Sequence, residues 1–427
     1  MGILIKDILA VLPGGVSRKC DVYTEGGRIL SVDREPDGFR AEKVIDGADK
    51  LMVPGLVNAH THAYMTPFRN WADDLDFNTW LFKKIMPMEE ALTPEDAYWG
   101  SVLACMEMIK GGVTCFLDMH MFPGSSARAA LGTGIRAVIS RGLSGGADDQ
   151  EGGRRRLREA VEEIREFSGA PALSFMLAPH APYTCDEEYL RSVAEKAREL
   201  GLGVNTHLSE SLGEVEGVKN KYGCSPVEFY DRCGLLGERT VAAHCVHLSA
   251  EDMDLLARRG VSVAVNHASN LKLANGIAPV PELQKRGVSL CLGTDSAASN
   301  NSLSVLRELS LVTLLHKGSS GNPLAVTAAQ GFEMATVNGA KALGLGGKTG
   351  EIRPGYFADL AIFDLRQPGI TPLGDPVAAL AYSGAGLSAH TVIVNGRVVL
   401  ENGEFTTIDP QRVYFEVNRI CARLGMR

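Results

Sequence analysis

The chain has no pair of cysteines at C-x-x-C spacing, no excess of basic charge and no long uncharged apolar run. Its nine cysteines lie singly at 20, 105, 115, 185, 224, 233, 245, 291 and 421. An odd, scattered set argues against a disulfide framework or a cysteine zinc site and fits reduced thiols in a cytoplasm. Lys plus Arg number 43 against 51 Asp plus Glu, a net charge of −8. A polyanion-binding protein is normally basic, so nucleic acid is not an expected partner. The densest basic stretch, "GGRRRLRE" at 152–159, runs into "EAVEEIREF" and reads as a solvated helix face. The opening "MGILIKDILAVLPGG" alternates apolar residues around Lys6 and lacks a small-residue cleavage pattern. It predicts a first strand, neither a signal peptide nor a spanning helix, and no membrane attachment is expected.

What is present belongs to an ordinary globular protein, with 45% hydrophobic and 22% charged residues over 427 positions. That length calls for more than one core. Apolar runs ending in polar residues recur as "GLVNAHTH", "GVTCFLDMH", "IRAVISRGL", "ALSFMLAPH", "LGVNTHLSE", "TVAAHCVHL", "VSVAVNHASN" and "VSLCLGTDS". Between them, segments such as "CDEEYLRSVAEKARELG" and "SAEDMDLLARRG" have helical periodicity, an N-cap and a terminal glycine. Strands buried on both faces, alternating with helices in eight units, predict an α/β fold with a (β/α)₈ TIM-type barrel over 56–351. The ends, 1–55 and 352–427, instead alternate apolar and polar residues around glycine turns. They predict a small β-sandwich domain built from both segments, with "VYFEVNRICARL" as a closing helix.

His60 and His62 stand two apart at the end of the first predicted strand, where i and i+2 side chains share a face. Taken alone, H-x-H fits two packed histidines as well as two metal ligands. However, His180, His207, His244, His267 and Asp295 also fall at or near strand ends, and in a barrel these ends form one face where active sites are built. His60, His62, His207 and Asp295 offer the nitrogen and oxygen donors that zinc takes while leaving a position for water. Glu210, three residues past His207, is placed for proton transfer, and His244 for orienting or deprotonating the water.

"PGLVNAHTH", "NTHLSE", "AAHCVHLS", "NLKLANGIAPVPEL" and "LGTDSAASNN" together resemble the amidohydrolase superfamily, and within it the 5-methylthioadenosine/S-adenosylhomocysteine deaminases. The resemblance spans almost the whole chain. It implies one divalent ion, most often Zn²⁺, held by His60, His62, His207 and Asp295, with hydrolytic loss of ammonia from an electron-poor ring carbon. It further implies that Trp80 flanks the purine, Glu89 accepts from ribose hydroxyls, and Arg141 and Arg154 meet the carboxylate of S-adenosylhomocysteine. His180 would contact substrate, and Ser299 would face the purine. Water would be deprotonated with help from His244 and Asp295, and Glu210 would protonate N1 of the ring.

One stretch departs from the family. "AVNHASN" places Val265 where relatives carry a histidine, and His267 where proline is usual. If the strand stays regular, His267 shares parity with Val265 and partly replaces the missing imidazole. His120 lines the mouth or packs, and His247, His316 and His390 carry no functional signal. "GLSGG" and "KALGLGGKTG" match nucleophile-elbow and phosphate-loop patterns only formally, and the H-x-E and P-C-x-x-C signature is absent. Two rival readings stay open: an s-triazine or other N-heterocycle hydrolase of the same superfamily, and a non-catalytic ligand-binding barrel. The expected partner is a small nucleoside, and a homo-oligomer is compatible with the class.

Overall fold

A computed structural model describes residues 2–426. Eight parallel strands neighbour one another in chain order: Leu56–Thr61, Val113–His120, Arg136–Leu143, Leu173–Pro179, Gly203–Leu208, Thr240–His244, Ser262–Val265 and Ser289–Leu292. Most are buried along their whole length, which accounts for their nearly unbroken apolar sequences. The eighth strand returns to the first through a bridge between Thr61 and Asp295. There the amides of Thr294 and Asp295 both donate to the His60 carbonyl, at 3.1 and 2.9 Å. Gly293 makes this seam possible. A Cβ at that position would lie 2.3 Å from Asn266 Oδ1 and 2.8 Å from His60 Cβ.

The connecting helices start and stop where their caps dictate. Asp186 caps Glu187–Leu200, which ends at Gly201 with φ 66°. Ser249 and Asp252 form a reciprocal capping box on Ala250–Arg259, closed by Gly260 at φ 70°. The seventh unit departs from the expected pattern. Its strand stops at Val265, and His267–Lys272 is helical. The parity argument for His267 therefore fails.

The terminal segments form one continuous nine-stranded sheet. Lys50–Pro54 joins the two ends, pairing in parallel with Ile3–Leu12 and antiparallel with Leu360–Asp364. Ile3, Ile5, Val22, Ile29, Ile362 and Ile393 form its buried core. The last helix, Pro410–Arg423, sets Val413 and Val417 against Val102 and Met106 of Pro94–Lys110. Among the described residues no helix is long and apolar enough to cross a membrane.

One buried ion pair ties sheet to barrel. Arg136, on the third barrel strand, donates from Nε and Nη2 to the two Asp359 oxygens at 2.9 and 3.3 Å. Asp359 also accepts from the Asn395 amide at 2.6 Å and the Thr349 hydroxyl at 3.2 Å. Removing the cation leaves a buried carboxylate short of partners, so Arg136→Ala should destabilise the fold by about 3–5 kcal/mol. Chemical denaturation of both proteins measures this, and an unchanged midpoint would contradict it.

Candidate active site

The strand ends bring His60, His62 and His207 together, with their ligating nitrogens within 4.8 Å of one another. His62 Nδ1 lies 2.8 Å from the Met119 carbonyl, and His207 Nδ1 lies 2.8 Å from the His180 carbonyl. A carbonyl only accepts, so both Nδ1 atoms carry hydrogen and both Nε2 lone pairs face inward. Those two Nε2 atoms are 3.1 Å apart. Lone pairs that close repel unless a cation is shared between them. His60 is wholly buried with neither ring nitrogen hydrogen-bonded. Burial drives the pKa of His60 and of His207 well down, favouring the neutral, donating form.

Asp295 completes the set. Its Oδ1 lies 3.5 Å from His62 Nε2 and 4.0 Å from His60 Nε2. Its Oδ2 is turned away and accepts from the hydroxyls of Ser269 at 2.6 Å and Ser299 at 2.8 Å. Burial alone would raise this carboxyl, but His244 and the hydrogen bond from Ser269 help to hold the pKa down, at about 2. Three imidazoles and one carboxylate with free lone pairs converging on one point suit a divalent cation.

Beside these donors, His244 and Glu210 face each other, Nε2 to Oε2, at 3.8 Å. Asn270 Oδ1, 2.8 Å from His244 Nδ1, accepts its hydrogen and leaves Nε2 toward Glu210. Asn275 donates to Glu210 Oε1 at 3.0 Å, and burial pushes the Glu210 carboxyl up to about 7. The backbone here is costly to hold. Ser209, His244 and Asp295 sit at φ 51°, 73° and 60°, each costing on the order of 1–3 kcal/mol.

The group opens into a cavity of about 810 Å³, counting its solvent-open part, with Trp80, Glu89 and His180 in its lining. Trp80 is buried on the turn of helix Thr79–Ile85. Glu89 accepts from the Tyr64 hydroxyl, and burial moves its carboxyl up to about 7. His180 contacts Thr184 Oγ1 at 3.0 Å, and burial lowers it to about 4.

Several sequence expectations need correction. Arg154 projects from helix Gln150–Phe167 with 61% of its side chain exposed and pairs with Glu151, one turn away. Arg141 is buried behind Met121 and bound to Glu159, outside the cavity lining. Ser299 is spent on Asp295 instead of facing a purine. His267 turns outward to His316, Nε2 to Nε2 at 2.9 Å. His120 follows the packing alternative, its Nε2 lying 2.9 Å from Glu163 Oε2. Reasoning from sequence missed Tyr64, Ser269, Asn270 and Asn275. The last three lie in or beside "NLKLANGIAPVPEL", where the motif was visible but the direction of each side chain was not.

A β/α barrel with a histidine and carboxylate cluster at the C-terminal ends of its strands defines a barrel hydrolase. A model of the amidohydrolase family matches residues 51–399, and the chain belongs to that family, within its 5-methylthioadenosine/S-adenosylhomocysteine deaminase branch. It is 44% identical over 423 residues to the 5-methylthioadenosine/S-adenosylhomocysteine deaminase of Moorella thermoacetica, covering 98% of each chain. Among solved structures, it resembles a zinc-bound adenosine deaminase from Xanthomonas campestris at 32% identity and TM-score 0.95, covering 100% of this chain and 99% of that one. An atrazine chlorohydrolase from Arthrobacter aurescens TC1 shares the fold at 24% identity and TM-score 0.91, covering 98% and 99%.

The two hydroxyls on Asp295 Oδ2 orient the oxygen that faces the histidines. Ser269→Ala combined with Ser299→Ala should weaken divalent-ion affinity by roughly 10–100-fold while the fold persists. Chelator competition monitored alongside circular dichroism reads both quantities, and undiminished affinity would refute the orienting role.

Proposed function

We propose that the chain hydrolyses the C6 amino group of adenine nucleosides carrying a 5'-thioether or related 5' group, giving the inosine analogue and ammonia. The observation that carries this reading is the pairing of Glu210 and His244 at the edge of four converging metal donors, with one cavity lined by both of them and by His62, His207 and Asp295.

His60, His62, His207 and Asp295 would hold the ion, which we assign as zinc. Once bound, it supplies a Lewis acid that brings the pKa of water down to about 7. His244 Nε2, kept free by Asn270, takes a proton from the attacking water. Glu210, whose pKa of about 7 lets it carry a proton near neutrality, gives it to N1 of the ring and makes C6 more electrophilic. Asn275 fixes the direction in which that proton leaves. Oxygen adds at C6, the remaining hydroxyl proton passes to the emptied Glu210, the proton held by His244 passes to the amino nitrogen, and ammonia departs as C6 becomes a carbonyl. Trp80 offers an aromatic face to the purine, and Glu89 accepts from the ribose hydroxyls. Eight of the cysteines are buried thiols, which supports a cytoplasmic setting.

Glu210→Gln keeps shape and removes the titrating proton. It should retain the metal and lower kcat for 5'-methylthioadenosine by about 10²–10⁴. Ammonia release together with metal content checks this, and full turnover would strip Glu210 of its role.

A further inference from the structure

Three carboxylates border the cavity. Glu210 and Asp295 are held by the groups already described, whereas Glu89 is held by one bond. It closes the four-residue helix Met86–Glu89, which follows directly on Thr79–Ile85. Its Oε1 accepts from the Tyr64 hydroxyl, and among the described residues nothing donates to its Oε2. Both Tyr64 and Glu89 line the cavity.

Tyr64, unlike Glu89, is fastened to the barrel. It lies two residues after His62, in the 3₁₀ helix Ala63–Phe68. The Ala63 amide donates to the buried Asp118 at 2.7 Å, the Met65 amide to the His62 carbonyl at 3.1 Å, and the Thr66 hydroxyl to the Gly100 carbonyl at 2.7 Å. A Cβ on Gly100 would lie 2.4 Å from the Tyr64 carbonyl, so the segment sits tightly on helix Pro94–Lys110. Tyr64 is 2% exposed, and its ring meets Phe122 edge-on with centroids 5.8 Å apart. A hydroxyl held this way is a rigid donor, and the carboxylate it grips is set in register with the metal ligand two residues back.

The bond does two things for Glu89. It spends Oε1 and leaves Oε2 as the acceptor available to a ligand. It also opposes burial, which has the carboxyl up at about 7 even so. An ionised carboxylate only accepts, and that suits two neighbouring hydroxyl donors; a protonated one turns one oxygen into a donor and loses part of the match.

We infer that Tyr64 is a positioning residue for ribose recognition: its hydroxyl aims the free oxygen of Glu89 at the sugar hydroxyls and ties that contact to the strand end that carries the metal ligands. This rests on the deaminase reading above, with Glu89 on the ribose, and deepens it by naming what sets that contact.

The test is steady-state ammonia release by the metal-loaded enzyme with 5'-methylthioadenosine and its 2',3'-dideoxy analogue, a pair that differs only in the two hydroxyls. Tyr64→Phe keeps the ring and removes the donor. It should lower kcat/KM for 5'-methylthioadenosine by about tenfold, mainly through KM, and cost the dideoxy analogue little. Glu89→Ala should erase the preference for the ribonucleoside, and adding Tyr64→Phe to it should cost 5'-methylthioadenosine nothing further. An equal loss for both nucleosides, an unchanged KM, or a fully additive double variant would each overturn the inference. Glu89→Ala with the preference intact would take Glu89 off the sugar and Tyr64 with it. Ammonia from neither nucleoside with the wild type would sink the deaminase reading, and this inference with it.

Discussion

The structure turns on the seam where the first barrel strand meets the eighth. The two amides that close the cylinder on the His60 carbonyl belong to Thr294 and Asp295. The same few residues therefore finish the barrel and complete the donor set. Gly293 permits the approach by offering no side chain, and Asn58 reinforces it by exchanging hydrogen bonds with Thr294 at 2.7 and 3.0 Å. Closure and metal-site assembly are thus one event, and a fault at the seam damages both.

Around the seam, imidazole orientation is set by backbone carbonyls more than by other side chains. Met119 and His180 lend their carbonyl oxygens to His62 and His207, and both lie at the ends of neighbouring strands. Such contacts are as rigid as the sheet itself, and they fix which nitrogen is free to donate. The strained backbone at Ser209, His244 and Asp295 is tolerated because the surrounding strands over-determine it.

Most of the fold could be read from the sequence because the relevant signals are local. Eight apolar runs and the caps at Asp186, Ser249, Gly201 and Gly260 are each set within a few residues. The donors could be read for a related reason, since a strand end in a barrel has only one face to occupy. The failures came where direction depends on tertiary neighbours. Arg154 lies on a helix whose rotation about its axis decides between cavity and solvent. Arg141 occupies the expected strand end, but a glutamate eighteen residues away captures it. His267 was misplaced because the seventh strand ends at Val265, two residues before it. Asn270 and Asn275 sit in a recognisable motif, yet nothing local shows that one reaches His244 and the other Glu210.

The stretch from His267 to Asn275, helical as far as Lys272, has a consequence for how such a barrel changes over time. Through Ser269, Asn270 and Asn275 it touches the carboxylate donor, the base and the acid at once. The residues that line the rest of the cavity, Tyr64, Trp80, Glu89, Met119 and Met121, come from another arc of the rim, on and after the first and second strands. Reactivity and recognition are therefore separate modules on one scaffold. Substitutions on the second arc can re-aim the enzyme at a new molecule without detuning its chemistry, whereas drift in the single stretch on the first would disable ligand, base and acid together.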